Sequence, residues 1–200
     1  MFRSRMRNAF TLTTVVVTLA ANAQTAAAQV TTPTSTTPTP AITGGFTAGY
    51  TDIGPAIGLG NTGNAGASIG GRFEHGIKSL PDMANGTLGI QASFDFYSYS
   101  AAFFGYSLSY TYIPIGVTAN YHIKLDDPRF DPFLGLGLGY NIVTCRLTGP
   151  APTTNCAYSN GIYFIGRIGG RYFFSPKMAV YADAGAGAAT LSVGLMFKMK

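Results

Sequence analysis

The 200-residue chain is poor in charge: 10% of its residues are Asp, Glu, Lys or Arg, against roughly 25% in soluble domains. It holds 26 Gly, 14 Phe and 12 Tyr and no Trp, which excludes both a conventional solvated surface and a disordered chain. Three of its cations are Arg3, Arg5 and Arg7, and the other ten face eight acids, so no basic footprint for nucleic acid remains.

In chain order, the three arginines precede the mostly apolar run AFTLTTVVVTLA (9–20) and the small-x-small site Ala21-Asn22-Ala23. This is the pattern of a removed secretory signal over 1–23, and the apolar run is too short to span a membrane as a helix. Residues 24–41 carry no charge and no aromatic residue and hold three prolines, as an extended tether does. Export places Cys145 and Cys156 in an oxidising compartment, where they are expected to form a disulfide.

A domain follows over 42–200. No apolar run there is long enough for a helical span, and the residues alternate with period two. Ile113, Ile115, Val117, Ala119, Tyr121 and Ile123 alternate with Pro114, Gly116, Thr118, Asn120 and His122. Leu134 to Ile142 alternates Leu or Tyr with Gly, Leu88 to Phe96 sets apolar against polar residues, and Leu191, Val193, Leu195 and Phe197 do the same. Weaker alternation predicts further strands over 42–51, 66–76, 161–174 and 178–186. The fold class expected is all-β: an eight-stranded antiparallel up-and-down transmembrane β-barrel. The segments 52–65, 98–107, 146–159 and 187–190 are expected outside, and 77–86, 124–130 and 175–177 in the periplasm.

The polar face decides which way the barrel is turned. On a soluble barrel it would be crowded with charge. Here it is mainly Gly, Ser, Thr and Asn, small residues that suit the narrow lumen of eight strands. The signal, the strand pattern and the phrases IPIGVTANYHI (113–123) and DPFLGLGLGYN (131–141) resemble the small outer-membrane β-barrel proteins of Gram-negative bacteria, the group of the OmpA transmembrane domain and the opacity-type surface antigens. That resemblance implies the cell outer membrane, with its lipid and lipopolysaccharide and the barrel-assembly machinery as partners. It also makes Leu191, Val193, Leu195 and Phe197 an assembly signal, although the family's final Phe stands three residues before the end of this chain.

The polar face carries six charges, Arg72, Glu74, Asp95, Arg167, Arg171 and Asp183. Together they are neutral and are expected to plug the lumen as a salt-bridge network. Pairing set by the 175–177 turn puts Asp183 opposite Gly169, diagonally between Arg167 and Arg171. A low-conductance channel is the alternative to a plug. His75 and His122 have no Ser or acidic partner at the outer ends, so no catalysis, metal or cofactor is expected. Gly135-x-Gly137-x-Gly139 lies within a strand and reads as lumen-filling glycine and not a phosphate loop. Phe103, Phe104 and Tyr106 are expected to project as an aromatic hairpin suited to an adhesin-like contact with a host or cell-surface ligand.

Overall fold

A computed structural model describes residues 45–149 and 160–199, except the side chain of Phe103. The expected signal, the tether and Cys156 lie outside the described residues.

The eight strands are β1 (Thr51–Leu59), β2 (Ala67–Leu80), β3 (Gly86–Phe103), β4 (Tyr106–His122), β5 (Phe130–Thr148), β6 (Gly161–Ser175), β7 (Met178–Ala186) and β8 (Leu191–Lys198). Each pairs antiparallel with the next, and β8 pairs with β1 to close the barrel. We call the end where β1 begins the base and the opposite end the rim.

The first strand falls later than the alternation over 42–51 suggests. Residues 45–50 are a turn, and β1 occupies 51–59, so the segment expected as a loop from 52 is largely barrel wall. Asp52, Gly54, Ala56 and Gly58 point inward, while Ile53, Pro55, Ile57 and Leu59 point outward. The loop to β2 is correspondingly short, with one 3-10 turn at Gly63–Ala65.

Around the barrel the outward face is apolar and exposed, as at Ile57, Ile69, Leu136, Leu138, Ile162 and Ile168. Between Lys78, which stands beside Leu88 at the base, and the rim, the described residues of this band include no Asp, Glu, Lys or Arg. The Phe130 and Tyr172 rings meet at a tilt at its base, with centroids 4.9 Å apart. Buried polar residues line the inside.

Three strands outrun the rest. Phe96 of β3 pairs with Ile69 near the start of β2, yet β3 continues to Phe103, about seven residues or roughly 20 Å further. β4 and β5 rise beside it, with Tyr97 opposite Tyr112 and Tyr112 opposite Val143. Here the faces exchange character. Tyr97, Tyr99, Tyr110 and Tyr112 lie on the lumen side, the Tyr97 and Tyr112 rings stacked 4.8 Å apart. Ser98, Ser100, Ser109, Thr111, Thr144 and Arg146 take the outward side, where Ser100 and Ser109 hydroxyls meet at 2.8 Å. Phe104 and Gly105, with φ of 44° and 82°, close the β3–β4 hairpin, the type I′ geometry that matches strand twist.

Candidate functional site

The candidate site is the barrel interior. The small inward residues of β1 and the glycines of β5 leave room for long side chains from opposite walls to meet across the axis. A Cβ at Gly135 would stand 2.2 Å from the Asn120 amide oxygen, and one at Gly139 would strike the Tyr163 ring.

Nearest the base, Arg171 of β6 is fully buried and gathers three carboxylates. Its guanidinium bonds Glu74, donates to Asp131 Oδ2 at 3.2 Å and brings Nε to 3.4 Å from Asp52 Oδ2. His122 completes the cluster, with Nε2 2.8 Å from Glu74 Oε1 and Nδ1 3.0 Å from Asp131 Oδ1. Gln91 and Asn120 donate their amides to Glu74 at 3.2 and 2.9 Å.

A second cluster lies further toward the rim. Arg72 pairs with Asp95 at 3.1 Å and Arg167 pairs with Asp183. Both guanidiniums also donate to Ser192 Oγ, at 3.3 and 2.7 Å, so one hydroxyl of β8 joins the two pairs. The Tyr181 hydroxyl donates to Asp183, and Ser68 donates to Asp95 at 3.3 Å. Beside these groups is a void of about 20 Å³ bounded by Gln91, Thr118 and Tyr163 among others, room for about one water.

The six sequence-derived charges all face the lumen, but the ion pairs differ from those the register suggests. Asp183 does stand opposite Gly169, yet its guanidinium partner is Arg167. Arg171 instead bonds its direct register partner Asp131 on neighbouring β5 and reaches across the axis to β1 and β2. The network is also larger than expected, because Asp52, Asp131 and His122 belong to it. Among the described residues three guanidiniums therefore face five carboxylates in the lumen, and the neutral balance is corrected to an acidic one. The alternation over 42–51 ends before Asp52 and so does not include it. Reading 52, 54, 56 and 58 as one face reveals it.

An apolar layer covers much of the base. Phe133, Phe173, Ala179, Tyr181 and Met196 from the wall pack with Phe46 and Tyr50 from the segment before β1. Phe46 stacks on His122 with ring centroids 3.8 Å apart, and the Arg171 Cζ lies 4.9 Å from its ring. In the exposed β4–β5 turn, Arg129 donates from Nη2 to Asp127 Oδ2 at 2.8 Å and holds the Asp127 carboxyl below the usual carboxylate range.

At the rim, Phe104 projects fully (97% exposed), whereas Tyr106 lies over Gly149, where a Cβ would meet its ring at 2.3 Å. Leu191, Val193, Leu195 and Phe197 form the outward face of β8, and His75 bonds Thr51 Oγ1 at the outer base at 2.7 Å. Cys145 occupies β5 opposite Tyr110; its expected partner lies outside the described residues.

No protein-family model and no curated protein matches the chain. Among solved structures it is similar to the N-terminal β-barrel domain of Pseudomonas aeruginosa OprF, at 14% identity over 76% of this chain and 98% of that one, with a TM-score of 0.46. It is also similar to Ail, the attachment invasion locus protein of Yersinia pestis, at 11% identity over 74% and 93% with a TM-score of 0.38. Ail in complex with the heparin analogue sucrose octasulfate gives 9% identity, 74% and 93% coverage, and 0.39.

Proposed function

We propose that the protein is an outer-membrane β-barrel with a structural or surface-interaction, adhesin-like role, its lumen plugged by polar and charged side chains. The observation that carries this reading is the inversion of the barrel: an unbroken, uncharged apolar band faces outward while charged residues are buried inside. In water such a band would drive aggregation; in a bilayer it is the surface a barrel needs.

The lumen supports a plug over a conducting pore. Arg72, Arg167 and Arg171 are pinned by ion pairs to carboxylates from other strands, and opening a water path means breaking several buried pairs together. The tall β3–β5 sheet, with Phe104 at its tip, is the part offered to a partner, and the catalytic machinery of an outer-membrane enzyme is no part of this reading.

The test combines insertion with conductance. Refolded protein is expected to show β-type circular dichroism and heat-modifiable gel mobility while leaving planar bilayers nearly silent. In intact cells a cysteine at Phe104 should react with an impermeant reagent and one at Asp126 should not. Reaction at 126 alone would invert the topology, and a steady conductance would replace the plug with a channel.

A further inference from the structure

Residues 45–50 are built as a separate part. Gly45 and Gly49 have φ of 109° and 82°, a left-handed conformation that glycine adopts without strain. Between them the chain turns back into the base of the lumen, with Tyr50 N bonded to Thr47 O at 3.0 Å. Among the described residues two backbone bonds tie the turn to the wall, Gly49 N to Gly76 O and Gly76 N to Tyr50 O, both 2.8 Å. The wall is cut away to receive it. A Cβ at Gly76 would stand 2.2 Å from Thr47 O, and one at Gly89 would stand 2.8 Å from the Phe46 ring.

The surface on which Phe46 rests is the His122 ring, and both nitrogens of that ring face carboxylate oxygens, at 2.8 Å from Glu74 and 3.0 Å from Asp131. Neutral imidazole has one N–H and one lone pair, so it would aim that lone pair at a carboxylate. Only imidazolium donates in both directions. Its proton has a route to solvent, since a cavity of about 310 Å³ at the base is lined by Phe46, Thr47, His122, Lys124 and Asp131 among others. The ionic groups around the ring are Asp52 on β1, Glu74 on β2, Asp131 on β5 and Arg171 on β6, while β3 and β4 contribute the neutral Gln91 and Asn120. At the lid itself the Lys198 Nζ lies 5.1 Å from the Tyr50 ring.

We propose that residues 45–50 are a proton-latched lid on the base of the lumen: imidazolium His122 clasps Glu74 to Asp131 and forms the seat for Phe46, and loss of its proton releases the lid. While the ring is charged, it ties β2 to β5 beneath Phe46 and presents a cationic face to the phenyl ring. Once it is neutral, one carboxylate loses its donor, the two acids repel, and the seat spreads.

The absence of tryptophan makes the full-length Phe46→Trp chain, refolded in detergent micelles, its own reporter. Near pH 5 its emission should be blue-shifted and shielded from acrylamide. Raising the pH to about 9, across the range where histidine ordinarily titrates, should increase quenching several-fold while the barrel's circular dichroism holds constant. The transition should vanish in the Phe46→Trp, His122→Gln chain, whose amide takes up no proton. It should be replaced by quenching at every pH in the Phe46→Trp, Gly89→Ala chain, where the seat is blocked. Quenching that stays flat with pH in the single variant, or a transition unchanged by His122→Gln, would overturn the latch. If tryptophan at 46 prevents folding, Tyr50→Trp reads the other end of the same turn. If His122→Gln does not fold, nitrogen NMR of the ring in a His75→Asn chain decides: both nitrogens should be protonated while the lid is closed and one after release, and a ring neutral throughout would overturn the proposal. None of these readouts depends on bilayer conductance, so the lid and the plugged-barrel reading fail separately.

Discussion

The tall sheet is a continuation of three of the eight strands of the barrel wall, yet the two regions are built in opposite senses. Below Tyr97 on β3 and Tyr112 on β4 the outward side chains are apolar and the inward ones polar. Above that level serine, threonine and Arg146 face out, and tyrosines face in. The β3–β4 ladder skips Asp95 and Phe96 at this level but resumes with the same offset, and β4–β5 runs on without a gap, so the facing of the strands is kept and the difference lies in side-chain chemistry. Strand pairing fixes which residues share a face, and the surrounding medium fixes what that face must be. On the proposed reading as a membrane barrel, the level where the two patterns meet is the place where hydrocarbon gives way to water.

The sharpest way to break this comparison is to remove a charge from each region. Arg171→Ala would strand Asp52, Glu74 and Asp131 inside the wall and should cost about 3–5 kcal/mol, lowering the melting temperature by heat-modifiable mobility or preventing refolding. Arg146→Ala on the outward side of the tall sheet should shift stability by no more than about 0.5 kcal/mol. Equal losses would mean that the lumen network is not buried as described. Adding a charge probes the boundary itself. Leu136→Arg in the apolar band should cost about 2–4 kcal/mol in folding into bilayers, while Thr144→Arg on the same strand, above the boundary, should be nearly neutral. A comparable penalty at 144 would move the boundary toward the tip. The smallest effect on the wall is expected from the cysteines. Reduction of the expected Cys145–Cys156 bond should leave the melting temperature unchanged but hasten proteolysis in the 146–159 segment, and mass spectrometry of a non-reduced digest should find the linked peptide. Alkylation of both thiols without reduction would refute it.

Much of this was legible in the residues. Alternation as regular as that over 113–123 and 134–142 is a direct print of the pleat, and it identified wall strands, their facing and their even number. Two things stayed hidden. Phe46, Ala48 and Tyr50 imitate a strand because two aromatic residues of a turn, Phe46 and Tyr50, are buried with an exposed Ala48 at the same parity between them, so the alternation there points to a wall that in fact begins at Thr51 and it omits Asp52. The partners of Arg171 were hidden as well. Adjacent-strand register is readable from a tight turn, whereas contacts from β6 to β1 and β2 cross the barrel axis and depend on closure, strand tilt and side-chain reach. The outward apolar face of the barrel strands is plain in the sequence, whereas in the outside segment 98–107 only the aromatic hairpin at Phe103, Phe104 and Tyr106 is, and the unbroken run of strand leading to it is not, since small hydroxylated residues alternating with tyrosine lack the familiar hydrophobic signal.

The β1–β8 pairing has its own bearing on how the barrel comes to exist. Seven of the eight ladders join neighbours in the chain, but this one joins Ile53 to Phe197 and Ala56 to Gly194, and its register skips Gly54 and Pro55. Proline offers no N–H there, and a Cβ on Gly54 would fall 1.6 Å from the Leu195 carbonyl oxygen. Bringing together segments about 140 residues apart carries the largest entropic cost of any ladder in the molecule, and this ladder recovers that cost with an interrupted set of bonds. Neighbouring hairpins can form early as a curled, open sheet, and on entropic grounds the seam between β1 and β8 should be the last to join and so set the pace of assembly.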